Sequence, residues 1–448
     1  MASSRQFAAG LIFVLWIGAP RLEAADTFDE DPAKTMQRFV KDALQAAADI
    51  PEHHERAHAL AGIALAQSRM ISKDAAKQTF QDAMKVARML PAADRKQAAE
   101  RCALLFVVVD SIVISEDWAG ARAAVDDIVA GESDPPTGEI YSFLRLLVQY
   151  QCRAGQLDEA TKTAEDTRFD LRDSLLQGKA EHCAAAKDWA QALRLAMDIK
   201  DLYSRTSTIV HIAEKKHDAG RKEEARRTLD GARKGVEGLD GFSKNQALTW
   251  LAQAYRRIGD RQTALQLAES ITNTSPKYPA REQALSLLHA ELGDIATALD
   301  FARKVREIQP DSEYCFRRVA EIQAKGKKFK DAWRTVEEMK EGYFRTQATL
   351  AIAEEQHRAG MTEDAAESFR VAVRTAENTP APPTTFKFWP FEHASIFRQI
   401  AKTQAELGEV AAAHTWIRRQ FSPKTQAYAL IGAAEGLHAR LEAARMKR

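Results

Sequence analysis

Apolar positions recur along most of this chain at a helical stride, and the helical runs follow one order. An apolar helix ends at Gly or a short polar turn, and a small Ala follows four or five residues later. Clear copies are Arg153-Ala154-Gly155-Gln156-Leu157-Asp158-Glu159-Ala160 and Ile258-Gly259-Asp260-Arg261-Gln262-Thr263-Ala264. Blocks beginning at Ala219-Gly220, Leu292-Gly293, Ala359-Gly360 and Leu407-Gly408 repeat them. Anchored on that Ala, ten copies fall at Ala76, Ala121, Ala160, Ala192, Ala225, Ala264, Ala298, Ala332, Ala365 and Ala413. Consecutive anchors are most often 32 to 34 residues apart, and the longer steps contain loop insertions.

The block predicts two helices joined by a tight turn. Gly in the turn accepts the left-handed conformation that ends the first helix. The Ala anchor lies where the helices come closest, since only a small side chain lets their backbones approach. Apolar residues recur at i, i+1 and i+4 before the anchor, as in Leu251, Ala252 and Tyr255 or Ile63 and Ala64. After it they fall at +4 and +7, as in Phe80 and Ala83 or Phe369 and Ala372. Each hairpin thus has apolar residues on two faces, and one face must stack on the next hairpin.

In the copy anchored on Ala264, the residues Leu251, Ala252, Tyr255, Gly259, Asp260 and Ala264 match the signature positions of the tetratricopeptide repeat. Pro310 closes the Ala298 copy where that family has its proline, and Trp118, Trp189 and Phe329 supply the aromatic after the turn. The first-helix Trp is mostly missing, with Trp250 two places away, and Lys179 stands where an apolar residue is expected. Residues 50–430 thus resemble a tetratricopeptide array. A pentatricopeptide array has a similar period, but its usual RNA partner does not suit an exported chain of near-neutral net charge.

The resemblance implies an all-α, right-handed superhelical solenoid of about ten antiparallel helix pairs. It places the first helix of each pair on a concave groove. By register, the groove face carries Arg145, Gln149 and Arg153; Gln177 and Glu181; Glu214 and His217; and Gln253, Arg256 and Arg257. It continues through Arg317, Glu321 and Lys325 to Glu354, His357 and Arg358. Such a polar face of mixed sign suits an extended peptide or a helix of alternating charge. The paired Asn and Lys of the family's carboxylate clamp are absent.

The array is divided here into repeats 1–9 over 51–378 and a tenth over 394–426. Residues 25–50 form an N-terminal segment whose part from Ala33 to Ile50 is an amphipathic capping helix, and 427–448 form a C-terminal capping helix with a small basic tail. Two insertions interrupt the pattern. Gly131 to Glu139 contains Asp134-Pro135-Pro136. The loop 379–393 joins prolines to Phe386, Phe388, Trp389 and Phe391. Its rings are too apolar to stand free in water, so they fold onto a neighbouring hairpin or contact a partner.

Composition narrows the function. Hydrophobic residues make up 45% and charged residues 28%, which is ordinary folded material. Lys and Arg number 64 against 63 Asp and Glu, so there is no basic field for nucleic acid and no polybasic membrane patch. At the start, Arg5 precedes an apolar stretch from Phe7 to Ile17, broken by Gly18-Ala19-Pro20 and followed by small residues at Ala24-Ala25. This reads as a secretory signal over 1–24, hence a secreted or periplasmic protein of the cell envelope. The rival is an uncleaved anchor, but the stretch is shorter than the roughly 20 residues a membrane span needs. Export permits disulfides, yet Cys102, Cys152, Cys183 and Cys315 fall inside predicted helices without metal-type spacing. They read as buried small residues, with Cys152 and Cys183 the one pair at matching register.

One motif suggests catalysis. His54-Glu55-Arg56-Ala57-His58 is a literal H-E-x-x-H, which on a helix can present two zinc ligands and a base. Against that reading, Pro51 starts the helix just before the motif, Ala61 stands where the extended metalloprotease pattern needs Gly, and no His follows three residues after it. Nothing resembles a phosphate loop or a nucleophile elbow. The sequence therefore predicts a non-catalytic scaffold with a protein or peptide partner, no cofactor, no metal and no nucleic acid.

Overall fold

The turns show why these residues form hairpins. A computed structural model describes residues 31–91, 93–131, 137–165, 169–273, 279–310, 312–379, 392–420 and 422–446. The expected signal, the middle of the Gly131–Glu139 insertion, and Phe386, Phe388, Trp389 and Phe391 lie outside them. After a lone helix α1 (Pro32–Ala48) come α2 (His53–Met70) with α3 (Lys73–Arg88), α4 (Arg95–Ile114) with α5 (Trp118–Gly131), and α6 (Thr137–Arg153) with α7 (Leu157–Glu165). Next are α8 (Arg172–Ala185) with α9 (Trp189–Met197), α10 (Leu202–Asp218) with α11 (Lys222–Val236), and α12 (Gly241–Arg257) with α13 (Arg261–Glu269). Then follow α14 (Ala280–Glu291) with α15 (Ile295–Ile308), α16 (Tyr314–Lys325) with α17 (Phe329–Glu337), α18 (Tyr343–Arg358) with α19 (Thr362–Asn378), and α20 (Glu392–Glu406) with α21 (Val410–Arg418). A single helix, α22 (Pro423–Met446), ends the chain. The protein is an all-α superhelical solenoid of helix pairs.

In every pair but the first, one turn residue has positive φ. It is Gly at 155, 220, 259, 293, 360 and 408, and elsewhere Glu116, Lys187 or Lys327. The next N–H then reaches back five residues along the first helix, as from Asp260 to the Tyr255 carbonyl and from Asp188 to that of Cys183, both at 2.9 Å. Asp188, Asp260 and Asp294 then cap the second helix by accepting from an N–H three residues on. All ten predicted anchors are the fourth residue of a second helix, and none is more than 2% exposed.

Each first helix packs on the first helix of the next pair, from α2 on α4 through α18 on α20. Second helices reach one another mainly through long side chains, such as Arg303 to Glu338 at 3.0 Å and Trp416 Nε1 to Glu377 at 2.9 Å. The more closely spaced layer has the shorter circumference, so the first helices form the inner wall.

The solenoid closes on itself. α22 packs on α20 as an eleventh first helix, and it also packs on α2 and on α1. α1 thereby takes the place of the missing second helix. Phe39, Val40, Ala43 and Ala47 of α1 share one continuous apolar core with Ala427, Leu430, Ile431 and Ala434 of α22. Arg56 Nε donates to the Ile50 carbonyl at 2.8 Å, fastening the exit of α1 as Arg205 fastens Ile199 at 2.7 Å. The two end helices, expected as separate caps, cap each other. Gly432 and Gly436 let α22 lie directly against the α20 backbone: a Cβ on Gly432 would sit 2.7 Å from the Arg398 carbonyl carbon.

Candidate functional site: the inner wall

The groove residues assigned by register all lie on first helices, and most are engaged with neighbours on the same wall. On α6 and α8, Gln149 donates to Gln177 at 2.8 Å, Gln177 to Glu181 at 3.2 Å, and Arg153 Nε pairs with Glu181 at 2.7 Å. Arg145 lies near enough to Tyr203 of α10 to act on its phenol electrostatically. Across α10 and α12, Arg257 meets Asp218 at 2.9 Å and Glu214 at 3.6 Å, while Arg256 reaches Glu291 of α14 at 2.7 Å. Gln253 and His357 are exposed, and the Nδ1 of His217 is buried. The wall is thus a lateral ladder of polar contacts linking successive pairs.

The ladder opens into a recess of about 310 Å³ between α16, α18 and α20. The predicted residues Arg317, Glu321, Lys325, Glu354 and Arg358 line it, together with Gln347, Ala351, Glu355 and Gln399. Arg317 pairs with Glu321 at 2.6 Å and lies over the Tyr314 ring at 5.1 Å. Glu354 accepts from Thr403 Oγ1 at 3.0 Å, and its burial raises its carboxyl above the usual carboxylate range. Arg358 pairs with Glu355, and its other nitrogen lies 3.7 Å from Glu354. Arginines and carboxylates interleave here without a dominant sign. Glu355 and Gln347 were missed in the sequence although they share a helix with Glu354, because register fixes the face of a helix but not its width.

A second recess, of about 390 Å³, lies at the outer turns, lined by Lys222, Glu223, Arg226, Asp260 and Arg261 among others. Arg226 and Asp260 pair across it at 3.0 Å. No sequence pattern marks it, because it joins the start of α11 to the following turn.

The H-E-x-x-H residues lie on α2 against α22. Glu55 pairs with Lys424 at 2.6 Å, and His58 Nδ1 faces Tyr428 Oη at 3.4 Å. Burial, with Lys424 and His54 nearby, drives the His58 imidazole down to about 4. Among the described residues no three His, Cys, Asp or Glu side chains converge as a metal site requires. The motif joins the two ends of the chain.

Cys102, Cys152 and Cys315 are buried, Cys183 is half-buried, and no disulfide joins any of them. The thiols of Cys152 and Cys315 are pushed up to about 12 by burial. Cys152 packs against Gly178 of α8, where a Cβ would approach within 2.7 Å. Among the described residues no helix is long and apolar enough to cross a membrane.

No family model matches this chain, and no curated protein matches it. Solved structures do. One is an IFIT1 monomeric mutant with Gppp-AAAA, at 12% identity over 94% of this chain and 96% of that one, with a TM-score of 0.33. Another is Naa15/Naa10 bound to HypK-THB, at 13% identity, 92% and 88% coverage, and a TM-score of 0.26. A circular tandem repeat protein with novel repeat topology follows at 14% identity, 93% and 91% coverage, and a TM-score of 0.13. Likeness at this level lends none of these proteins' functions to the chain.

Proposed function

We propose that this protein is a non-catalytic scaffold of the tetratricopeptide type, exported to the cell envelope, that holds a partner peptide or helix against its inner wall. The observation that carries the reading is the recess between α16, α18 and α20, where interleaved Arg and Glu side chains border open space. Such a surface sets the register of a polar segment through specific pairings more than through raw affinity. The balance of 64 basic against 63 acidic residues favours a protein partner over a polyanion.

The test is a photo-crosslinking amino acid at Arg317 or Arg256 in cells. The expected result is one reproducible protein adduct at either position, absent when the probe stands at exposed Arg334 on α17. Labelling that does not differ between inner and outer positions sinks the proposal. A salt-dependent RNA-binding titration checks the nucleic-acid reading, and edman sequencing of the mature chain checks signal removal.

A further inference from the structure

At the closure between the chain ends, titratable groups converge from both sides. On the inner wall, His58 of α2 faces Lys424 and Tyr428 of α22, with His54 and Glu55 beside it on its own helix. Arg398 of α20 lies next to Tyr428 and pairs with Glu435 of α22. Its guanidinium would stand 3.8 Å from a Cβ on Gly62 of α2. On the outer layer, His414 of α21 lies against Phe39 of α1, with ring centres 5.7 Å apart. Arg38 and Asp42 of α1 and Arg418 of α21 act on it electrostatically. Both layers thus close over a histidine with a cation nearby.

We propose that the contacts of α22 with α2 and of α1 with α21 form an acid-released latch, in which protonation of His58 and His414 parts the two ends and opens the ring. This inference stands whether or not the inner wall holds a partner.

The sign follows from linkage. In the closed ring His58 is driven down to about 4, first by burial and then by Lys424 and His54. His414 is also lowered, first by burial and then by Arg38 and Arg418, with Asp42 opposing. Once the ends part, both rings return to water and to an ordinary value of about 6.5. The open form therefore binds more protons, and closure weakens as pH falls below that value. For His58 alone the ratio of open to closed rises roughly 30-fold between pH 7.5 and pH 5.

Hydrogen exchange of the full chain, read by segment and corrected for intrinsic rates, tests this. The expected result is a loss of protection in α1 and α22 between pH 7.5 and pH 5, roughly 30-fold or more, while α10 and α12 stay protected. The double variant His58→Gln, His414→Gln should keep α1 and α22 protected at pH 5. His414→Gln alone, which leaves the Tyr428 contact intact, should remove part of the response. Three outcomes overturn the latch: protection of α1 and α22 that does not change with pH, loss shared equally by α10 and α12, or an unaltered response in a folded histidine variant.

Discussion

Replacing Gly432 by Ala separates two opposing effects of a single methyl group. In an exposed helix interior, Ala is favoured over Gly by about 0.5–1 kcal/mol because it reduces the freedom of the unfolded chain. At Gly432 the new Cβ would enter the carbonyl group of Arg398, lying 2.7 Å from its carbon and 2.9 Å from its Cα. The obstacle is backbone, so no rotamer change relieves it and α22 must move away from α20. Overpacking of this kind costs about 1–3 kcal/mol, and a backbone obstacle places it at the upper end. The net expectation for Gly432→Ala is a loss of about 2 kcal/mol. Gly436→Ala should behave alike, since its Cβ would meet the Lys402 carbonyl and lie 2.9 Å from the Ala405 methyl. Gly231 on α11 is the control: a Cβ there meets nothing within 4 Å, so Gly231→Ala should gain up to about 1 kcal/mol. Urea unfolding measures all three, provided the slopes agree so that midpoints report stability. Gly432→Ala as stable as Gly231→Ala would refute the close packing of α22 on α20.

Lys187→Gly and Lys327→Gly should each stabilise the chain by about 1 kcal/mol, because both lysines occupy left-handed turns that other pairs fill with Gly; lower urea midpoints would count against the turn geometry. Glu55→Gln should destabilise by about 2 kcal/mol by removing the carboxylate that pairs with the largely buried Lys424 at 2.6 Å, and Lys424→Met should restore part of that loss in a double-mutant cycle. Native protein at pH 8 should leave Cys152 and Cys315 unmodified by a thiol reagent, with Cys183 reacting slowly and all four reacting after denaturation. Rapid labelling of Cys152 in folded protein would show that its packing against Gly178 is wrong.

The hairpins were legible because their signals are local. A Gly turn, an Ala four residues into the next helix and apolar neighbours at helical spacing all lie within one repeat, so each copy carries its own evidence. The ring was not legible, since the contact of α1 with α22 joins residues separated by nearly the whole chain and no periodicity encodes it. Two traces of it were present. Gly432 and Gly436, one helical turn apart, mark a close helix approach, and Glu55 and His58 are unusual polar residues at the start of the first repeat. The latter pair was weighed as zinc chemistry because spacing alone does not distinguish a metal ligand from a side chain that meets another helix. The groove residues assigned by register all fall on the first helices of their pairs. Their lateral pairing depends on the rotation between successive repeats, which the sequence does not state.

An open array can gain or lose a unit cheaply, because each unit touches only its neighbours. Here the circumference is fixed by the need for the last helix to meet the first. Deleting one unit would shorten the inner wall by about 9 Å, the spacing of packed helices, and every remaining junction would have to bend further to make up the difference. The copy number of this protein is therefore a geometric constant, and duplications or losses of a repeat should be selected against far more strongly than substitutions within one.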